Sequence, residues 1–230
     1  GHEVAAETTD GRRVALIHHL PCGECARCLA GHESTCDEFR RATITPGGFA
    51  EVAVAADFIA LPDGVGDARA TYAEPLACVL RAAERVPQGR VLVVGHGFIG
   101  RLFAAVLRRR GDEVFVRDTE PGRGGRDTDG PVDAAVLCAP AGGDDALGAL
   151  QPGGTLLVFA PAAPLDLDAV YRNELQIVGA RSATPRHMEQ AIALLTELKL
   201  PEPTVLPLER FSEGLELYRS RKALKIVFTP

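Results

Sequence analysis

The chain has 230 residues, 46% of them hydrophobic, and its 25 Lys and Arg against 31 Asp and Glu give a formal charge of −6. That length can bury the core of one large domain or two small ones, and the acidic residues are scattered, so no basic face exists to neutralise a run of phosphates and nucleic acid is excluded as a partner. No apolar run approaches the roughly 20 residues that cross a bilayer, and the start, GHEVAAETTDGRR, lacks the basic and apolar regions of a secretory signal. A cytoplasmic protein without a membrane partner is expected.

The first predicted strand is Val14 to His18. It leads into PCGECARCLAGHESTC, Pro21 to Cys36, which holds four of the six cysteines. Cytosolic thiols are kept reduced, so clustered ones there bind metal or do catalysis more often than they cross-link. Zinc takes four thiolates in a tetrahedron with Zn–S near ~2.3 Å, and a two-residue spacer lets one turn of backbone offer both sulfurs to one ion. Cys22, Cys25 and Cys28 make two such steps, Gly23 and Gly31 permit the tight turns, and Cys36 closes the fourth corner. Four protein thiolates leave no open position, so the expected zinc is structural. Metal-free thiols, disulfides or an iron–sulfur cluster are the alternatives. Cys78 in EPLACVL and Cys138 in AAVLCAP sit in apolar runs and read as core residues.

Strands are predicted next at Phe49 to Ala55 and Phe58 to Leu61. The segment RVLVVGHGFIGRLFAAVLRRRGDEVFVRD then reads as strand, turn, helix, strand. Val91 to Val94 is a continuous apolar run of the kind buried on both faces of a parallel sheet. Gly95-His96-Gly97-Phe98-Ile99-Gly100 fits G-x-G-x-x-G; a helical pattern covers Leu102 to Leu107, a strand Glu113 to Arg117, and Asp118 lies 18 residues past Gly100. Together these make the dinucleotide fingerprint. Gly95 makes the tight turn, Gly97 lets backbone approach the pyrophosphate, Gly100 lets helix pack on strand, and the helix N-terminus offers N–H groups and positive dipole. Asp118 is suited to the ribose hydroxyls and repels a 2′-phosphate, so NAD is expected before NADP, a preference softened by Arg117 and Arg123. A nucleotide-free sheet with a glycine turn is the alternative. His96 is expected to face solvent or the phosphates.

Further strands are predicted at Val132 to Cys138, Gly154 and Leu175. Pro185 to Leu200 reads as an amphipathic helix with Met188, Ile192 and Leu195 on one face, and Lys222 to Phe228 as a last strand. The apolar stretch Glu174 to Ala180 is expected at a sheet edge, where pairing with a second copy would remove an aggregation risk.

A four-cysteine loop ahead of a dinucleotide-binding half resembles the zinc-containing medium-chain dehydrogenase/reductase family, the alcohol, sorbitol and threonine dehydrogenases. GHE at Gly1 to Glu3, PCGEC through Cys36, GGFAEVAV at Gly47 to Val54, LPDGV at Leu61 to Val65, AEPLACVLRAAER at Ala73 to Arg85, LQPGGTLLVFA at Leu150 to Ala160 and RKALKIVFTP at the end follow the family's order. The resemblance implies an α/β protein: a Rossmann-type doubly wound parallel sheet over residues 75–181, with a smaller, truncated, zinc-stapled β-rich GroES-like domain from residues 1–74 and 182–230. It puts His2 and Glu74 at catalytic-zinc ligand positions with Glu3 beside the metal, Arg123 near the adenosine ribose, and Lys225 at the pyrophosphate. It also implies a homodimer.

Departures from the family qualify the expectation. The family's first catalytic-zinc cysteine and its proton relay lie upstream of GHE, so the chain is expected to be a shortened form, and occupancy of a catalytic zinc is left open. Only thirteen residues, TEPGRGGRDTDGP, separate Asp118 from the strand at Val132, where the family places a helix, a strand and a connection. A narrower sheet and a mobile loop are expected there. The leading expectation is an NAD-dependent oxidoreductase acting on a secondary alcohol or ketone of a small polar substrate, with Tyr72 as either a proton donor or a packed aromatic. The alternatives are a non-redox, lyase- or acid–base-type enzyme, or a cofactor-binding protein without turnover.

Overall fold

Short runs of small apolar residues near the N-terminus make short strands. In the computed structural model, which describes every residue except Ala42 and the side chain of Arg40, Ala5–Glu7 (β1), Arg13–Leu16 (β2) and Phe58–Ala60 (β5) form an antiparallel sheet in the order β1-β2-β5. Ile44–Thr45 (β3) pairs with Val54–Ala55 (β4). Val14, Leu16 and Ile44 are buried, with Val4, Ala6, Ala53 and Ala55 packed around them. Strand β2 stops at Leu16, short of the expected His18, because the Thr43 hydroxyl takes the carbonyls of Ile17 and His18 at 2.8 and 2.6 Å. The strand expected over Phe49 to Ala55 shrinks to β4. Gly47 adopts φ +131° just before it, and the Phe49 ring packs on Phe211 and Phe228, with centroids 5.1 and 5.6 Å away, instead of entering a ladder. Helices Ala26–Leu29 (α1) and Asp67–Ala70 (α2) complete this part, and Ala73–Ala83 (α3) runs on from it.

Residues 79–181 form one compact unit, and residues 1–78 with 182–230 form another. In the former, Arg90–Val94 (β6), Glu113–Arg117 (β7), Val132–Leu137 (β8), Leu150–Val158 (β9) and Gln176–Gly179 (β10) make a parallel sheet in the order β10-β9-β8-β6-β7. Phe98–Arg110 (α4), Gly143–Ala149 (α5) and Leu167–Arg172 (α6) connect strands. Leu92, Phe115, Ala135, Leu137 and Leu156 are fully buried within it. The continuous apolar runs of β6 and β8 are what strands covered on both faces require.

The sheet ends on β7, as the short connection after Asp118 requires, and residues 119–131 contain neither helix nor strand. This loop is pinned to the open edge. Val116 N–H donates to the Arg126 carbonyl at 2.9 Å, and the guanidinium groups of Arg90 and Arg126 lie over the Phe115 ring, 4.6 and 4.8 Å from its centroid. Arg117 pairs with Asp127 at 2.9 Å, Arg90 with Asp129 at 2.6 Å, and Arg126 with Glu113 at 3.0 Å. A charged, covered edge is how a sheet avoids pairing with another chain. Hydrogen bonds from Arg117 and Arg90 hold the carboxyls of Asp127 and Asp129 below their ordinary 3.8. A lowered folded-state pKa contributes stability in full above the unfolded value and loses it as pH falls through the folded one. The loop is therefore expected to resist protease at neutral pH and to become cleavable below about pH 4, while the double change Asp127→Ala and Asp129→Ala makes it cleavable at neutral pH. Equal resistance of the variant and the parent would remove the pinning role.

The chain returns through Pro185–Leu194 (α7), Thr204–Pro207 (β11), Phe211–Arg219 (α8) and Ile226–Thr229 (β12), with β11 and β12 paired in parallel. Helix α7 ends six residues before the expected Leu200. The Arg69 guanidinium donates to the carbonyls of Leu195, Leu198 and Leu200 at 3.2, 2.7 and 3.3 Å, giving this segment's carbonyls a donor outside a helix ahead of Pro201. Strand β12 starts at Ile226 rather than Lys222, because the N–H groups of Lys222 and Ala223 turn back to the Leu217 carbonyl at the end of α8. Strand β10 lies at a sheet edge, and Ile177 on it is 39% exposed. Among the described residues no helix is long and apolar enough to cross a membrane.

Candidate active site and metal centre

Gly23 and Gly31, both at φ +77°, fold the cysteine loop around the short helix α1. The four sulfurs of Cys22, Cys25, Cys28 and Cys36 lie within 4.8 Å of one another. Cys22 Sγ is 3.9 Å from Cys28 Sγ and 3.6 Å from Cys36 Sγ. Four thiols converging at this spacing suit one tetrahedral zinc. The local electrostatics favour thiolate at one corner: the Cys22 backbone N–H, above all, lowers Cys36 to about 6, while burial pushes Cys28 up to about 12. Around the sulfurs the apolar support is small, chiefly Phe39, on whose ring His19 stacks at 4.2 Å.

A second group of possible ligands is assembled in the same unit. His2, Glu3 and Glu74 bring ligand atoms within 4.8 Å of one another. His2 Nε2 stands 3.8 Å from Glu74 Oε1, too far for a hydrogen bond and close to the separation of two donors each ~2 Å from a shared zinc. Desolvation first, and then the neighbouring His18, lowers the His2 pKa to about 4 although the side chain is 47% exposed, and a lowered pKa favours the neutral ring that a metal ligand needs. Glu74, at the start of α3, has its pKa raised by burial and accepts from Cys78 Sγ at 3.3 Å. The donor set of one imidazole and two carboxylates fits zinc chemically. Glu3 is also engaged by the Lys225 ammonium. Lys225, expected at the pyrophosphate, lies in this unit, with burial lowering its pKa to about 8. Tyr72 is fully buried and donates its hydroxyl to the Pro201 carbonyl at 2.8 Å, which makes it a packed aromatic. An open cleft of about 720 Å³ is lined in part by His2, Glu3, Phe49, Thr71, Lys225 and Phe228.

The glycine turn belongs to the other unit. Gly95 adopts φ +91°, and a Cβ there would meet Ala139 Cβ at 2.8 Å. A Cβ on Gly100 would collide with the Gly95 carbonyl, whereas one on Gly97, the N-cap of α4, would meet nothing within 4 Å. The turn is thus closed where chain packs on chain and open where a ligand's phosphates would approach the N-terminus of α4. Phe98 and Ile99 form its first helical residues. Asp118 stands at the end of β7, and both its oxygens are used: Oδ2 accepts from His96 N–H at 2.5 Å and Oδ1 from Glu120 N–H at 2.7 Å. The His96 ring does not simply face solvent; it is half-buried, with Nδ1 2.7 Å from the Arg123 carbonyl. A carbonyl only accepts, so Nδ1 carries the proton, in keeping with a pKa lowered chiefly by burial. Arg101, in the first turn of α4, keeps a buried Nε without a hydrogen-bond partner, an orphan that suits a site for an anionic ligand.

Sequence reasoning missed contacts of three residues, of which Cys78 reads only as core. Cys78 follows Glu74 by four, the spacing that stacks side chains on a helix face, and this was a readable signal. His18 stacks on the His2 ring with centroids 4.2 Å apart and planes at 19°. No pattern announces that contact, since the two are sixteen positions apart and meet through the fold. Arg101 was hidden inside an ordinary helical run.

The family described as Alcohol dehydrogenase GroES-like domain matches residues 1–63. The D-altritol 5-dehydrogenase of Agrobacterium fabrum is 33% identical, the match covering 84% of this chain and 69% of that one. The L-galactonate-5-dehydrogenase of Escherichia coli is 27% identical, over 100% of this chain and 82% of the other. A cobalt- and zinc-bound thermostable alcohol dehydrogenase from Pyrobaculum aerophilum shares the fold with a TM-score of 0.81 at 22% identity, over 96% of this chain and 75% of that chain. With a four-thiol knot, a His–Glu cluster and a glycine turn braced by an acid on one chain, these likenesses place the protein in the zinc-containing medium-chain dehydrogenase/reductase family, as a dehydrogenase-type oxidoreductase.

Proposed function

We propose that the chain is an NAD-dependent dehydrogenase that exchanges hydride with a secondary hydroxyl or ketone of a small, polyhydroxylated substrate. The observation that carries this reading is the convergence of His2 and part-buried Glu74 at 3.8 Å in a chain that also has a braced glycine turn. Relatives named for altritol and galactonate support a polyol-like substrate. His2, Glu74 and Glu3 would hold a zinc, and Cys22, Cys25, Cys28 and Cys36 a second, structural one. When bound, zinc at the first position supplies Lewis-acid polarisation of the substrate oxygen, and the nicotinamide supplies the hydride acceptor.

The chain's own groups do the rest. Stacking on His18 fixes the plane of His2, and Cys78 Sγ–H fixes one oxygen of Glu74. Burial of Glu74 makes its carboxylate gain more from a neighbouring cation than an exposed one would. The Lys225 ammonium holds Glu3 in the cluster. At the other site Gly95, Gly97 and Gly100 shape the turn, Phe98 and Ile99 present N–H groups of the helix start, and Arg123 holds His96. Asp118, fixed by two backbone N–H groups, is a carboxylate that opposes a 2′-phosphate, so NAD is preferred over NADP. The exposed edge of β10 would pair two copies into a homodimer, and the free thiols suit the reducing cytoplasm.

The test is turnover of a panel of short polyols and ketoses with NAD, combined with zinc analysis. His2→Ala is expected to lower turnover at least ~100-fold and to lose the zinc of the His–Glu cluster, while NADH binding stays within a factor of about two. Full turnover in His2→Ala would overturn the assignment, and light scattering that finds only monomer would remove the dimer.

A further inference from the structure

Arg101 follows the third glycine of the turn directly, and its backbone N–H donates to the Gly97 carbonyl at 3.1 Å. A cation in that first turn is misplaced twice over. The positive end of the helix dipole opposes it. Its Nε, moreover, is buried with no partner, the only side-chain nitrogen or oxygen in that state among the described residues. Its neighbours in sequence and sheet are served differently: Arg90 has Glu113 and Asp129, Arg110 has Asp112, and Arg117 has Asp127.

The acid that ends β7 is engaged elsewhere. Asp118 spends both oxygens on the N–H groups of His96 and Glu120. Arg101 nonetheless starts at the turn, because its own backbone N–H closes on the Gly97 carbonyl there. A buried guanidinium N–H in the first turn of the helix that opens on this cradle lacks an oxygen acceptor, and phosphate oxygens are the acceptors such a fork matches best.

We infer that Arg101 is a phosphate-binding residue of the dinucleotide site, its guanidinium donating to a non-bridging phosphate oxygen of the cofactor. The inference rests on the reading of the glycine turn as a cofactor site. The phosphate has two sources: the pyrophosphate shared by NAD and NADP, or the 2′-phosphate of NADP alone.

Fluorescence titration with NADH and with NADPH, on the parent protein, R101M and R101K, tests it, with thermal unfolding of each protein in the absence of cofactor. The parent is expected to bind, and R101M to bind ~10–100-fold more weakly. Weakening of both cofactors assigns the pyrophosphate; weakening of NADPH alone assigns the ribose phosphate. R101K, which keeps the charge but not the planar fork, recovers part of the loss. R101M should unfold no earlier than the parent, because it removes an orphaned group. A parent that binds and an R101M that binds equally well would overturn this inference and leave the cofactor reading standing. A parent that binds neither nucleotide would overturn both. Weaker binding together with earlier unfolding in both variants would make Arg101 a structural residue and would also sink the inference.

Discussion

Cys36→Ser is expected to unfold the cysteine lobe, from Pro21 to about Arg41, while the parallel sheet of the other unit stays intact. The lobe has little else to hold it. Its helix α1 has four residues, far below the length at which a helix persists alone, and the remaining turns, Glu33–Thr35 and Glu38–Arg40, are single 3₁₀ turns. Its buried apolar side chains reduce to Cys28, Cys36 and Phe39. A structural zinc contributes on the order of 10–16 kcal/mol of apparent binding free energy, far more than one buried phenylalanine, worth ~1.5–3 kcal/mol. Serine is a poor zinc ligand, and its loss of the fourth corner opens the site. Elemental analysis should show one zinc fewer per chain, and hydrogen exchange of residues 21–41 should lose protection in step with it. Chelation of the parent should produce the same pattern. A lobe that keeps its protection without metal would show that packing, not zinc, holds it.

The cysteine knot was legible because its determinants are local: the spacing and the two glycines at positive φ lie within sixteen residues. The glycine turn was legible for the same reason, and the short run after Asp118 foretold that the sheet would stop at β7. What stayed hidden depends on contacts that spacing does not encode. The loop after Asp118 reads as mobile from its Gly, Asp and Arg content, yet those same residues fold back to pair with Glu113 and Arg117 on the strand before it and with Arg90 on β6. Asp118 fits the ribose motif, but nothing in the motif says that backbone N–H groups fix its carboxylate. Strand and helix ends slipped at Leu16, Val54, Leu194 and Ile226 because Thr43, the Phe49 cluster, Arg69 and the turn after α8 offered competing partners.

Gly100→Ala is expected to cost the nucleotide-binding unit about 2–3 kcal/mol, a fall of roughly 10–14 °C in its unfolding midpoint, and to abolish cofactor binding. The new methyl would overlap the Gly95 carbonyl and sit 3.4 Å from Val93 Cγ1. Neither neighbour can move freely. The Gly95 N–H is tied to the Arg117 carbonyl at 2.9 Å, its α-carbon faces Ala139, and Val93 is fully buried in β6. Relief must come from α4 lifting off β6, which carries the N–H groups of Phe98 and Ile99 and the Arg101 side chain away from the turn. Gly97→Ala provides the contrast: its φ is −71°, and its methyl meets no protein atom within 4 Å, so folding should be unaffected. It should still weaken NADH binding, because the methyl occupies the open side where backbone must approach phosphate. The two alanines together separate packing from recognition. Gly100→Ala with the parent's unfolding midpoint would mean that α4 does not rest on β6 through this glycine, and Gly97→Ala with the parent's affinity would mean that the phosphates do not lie against the turn.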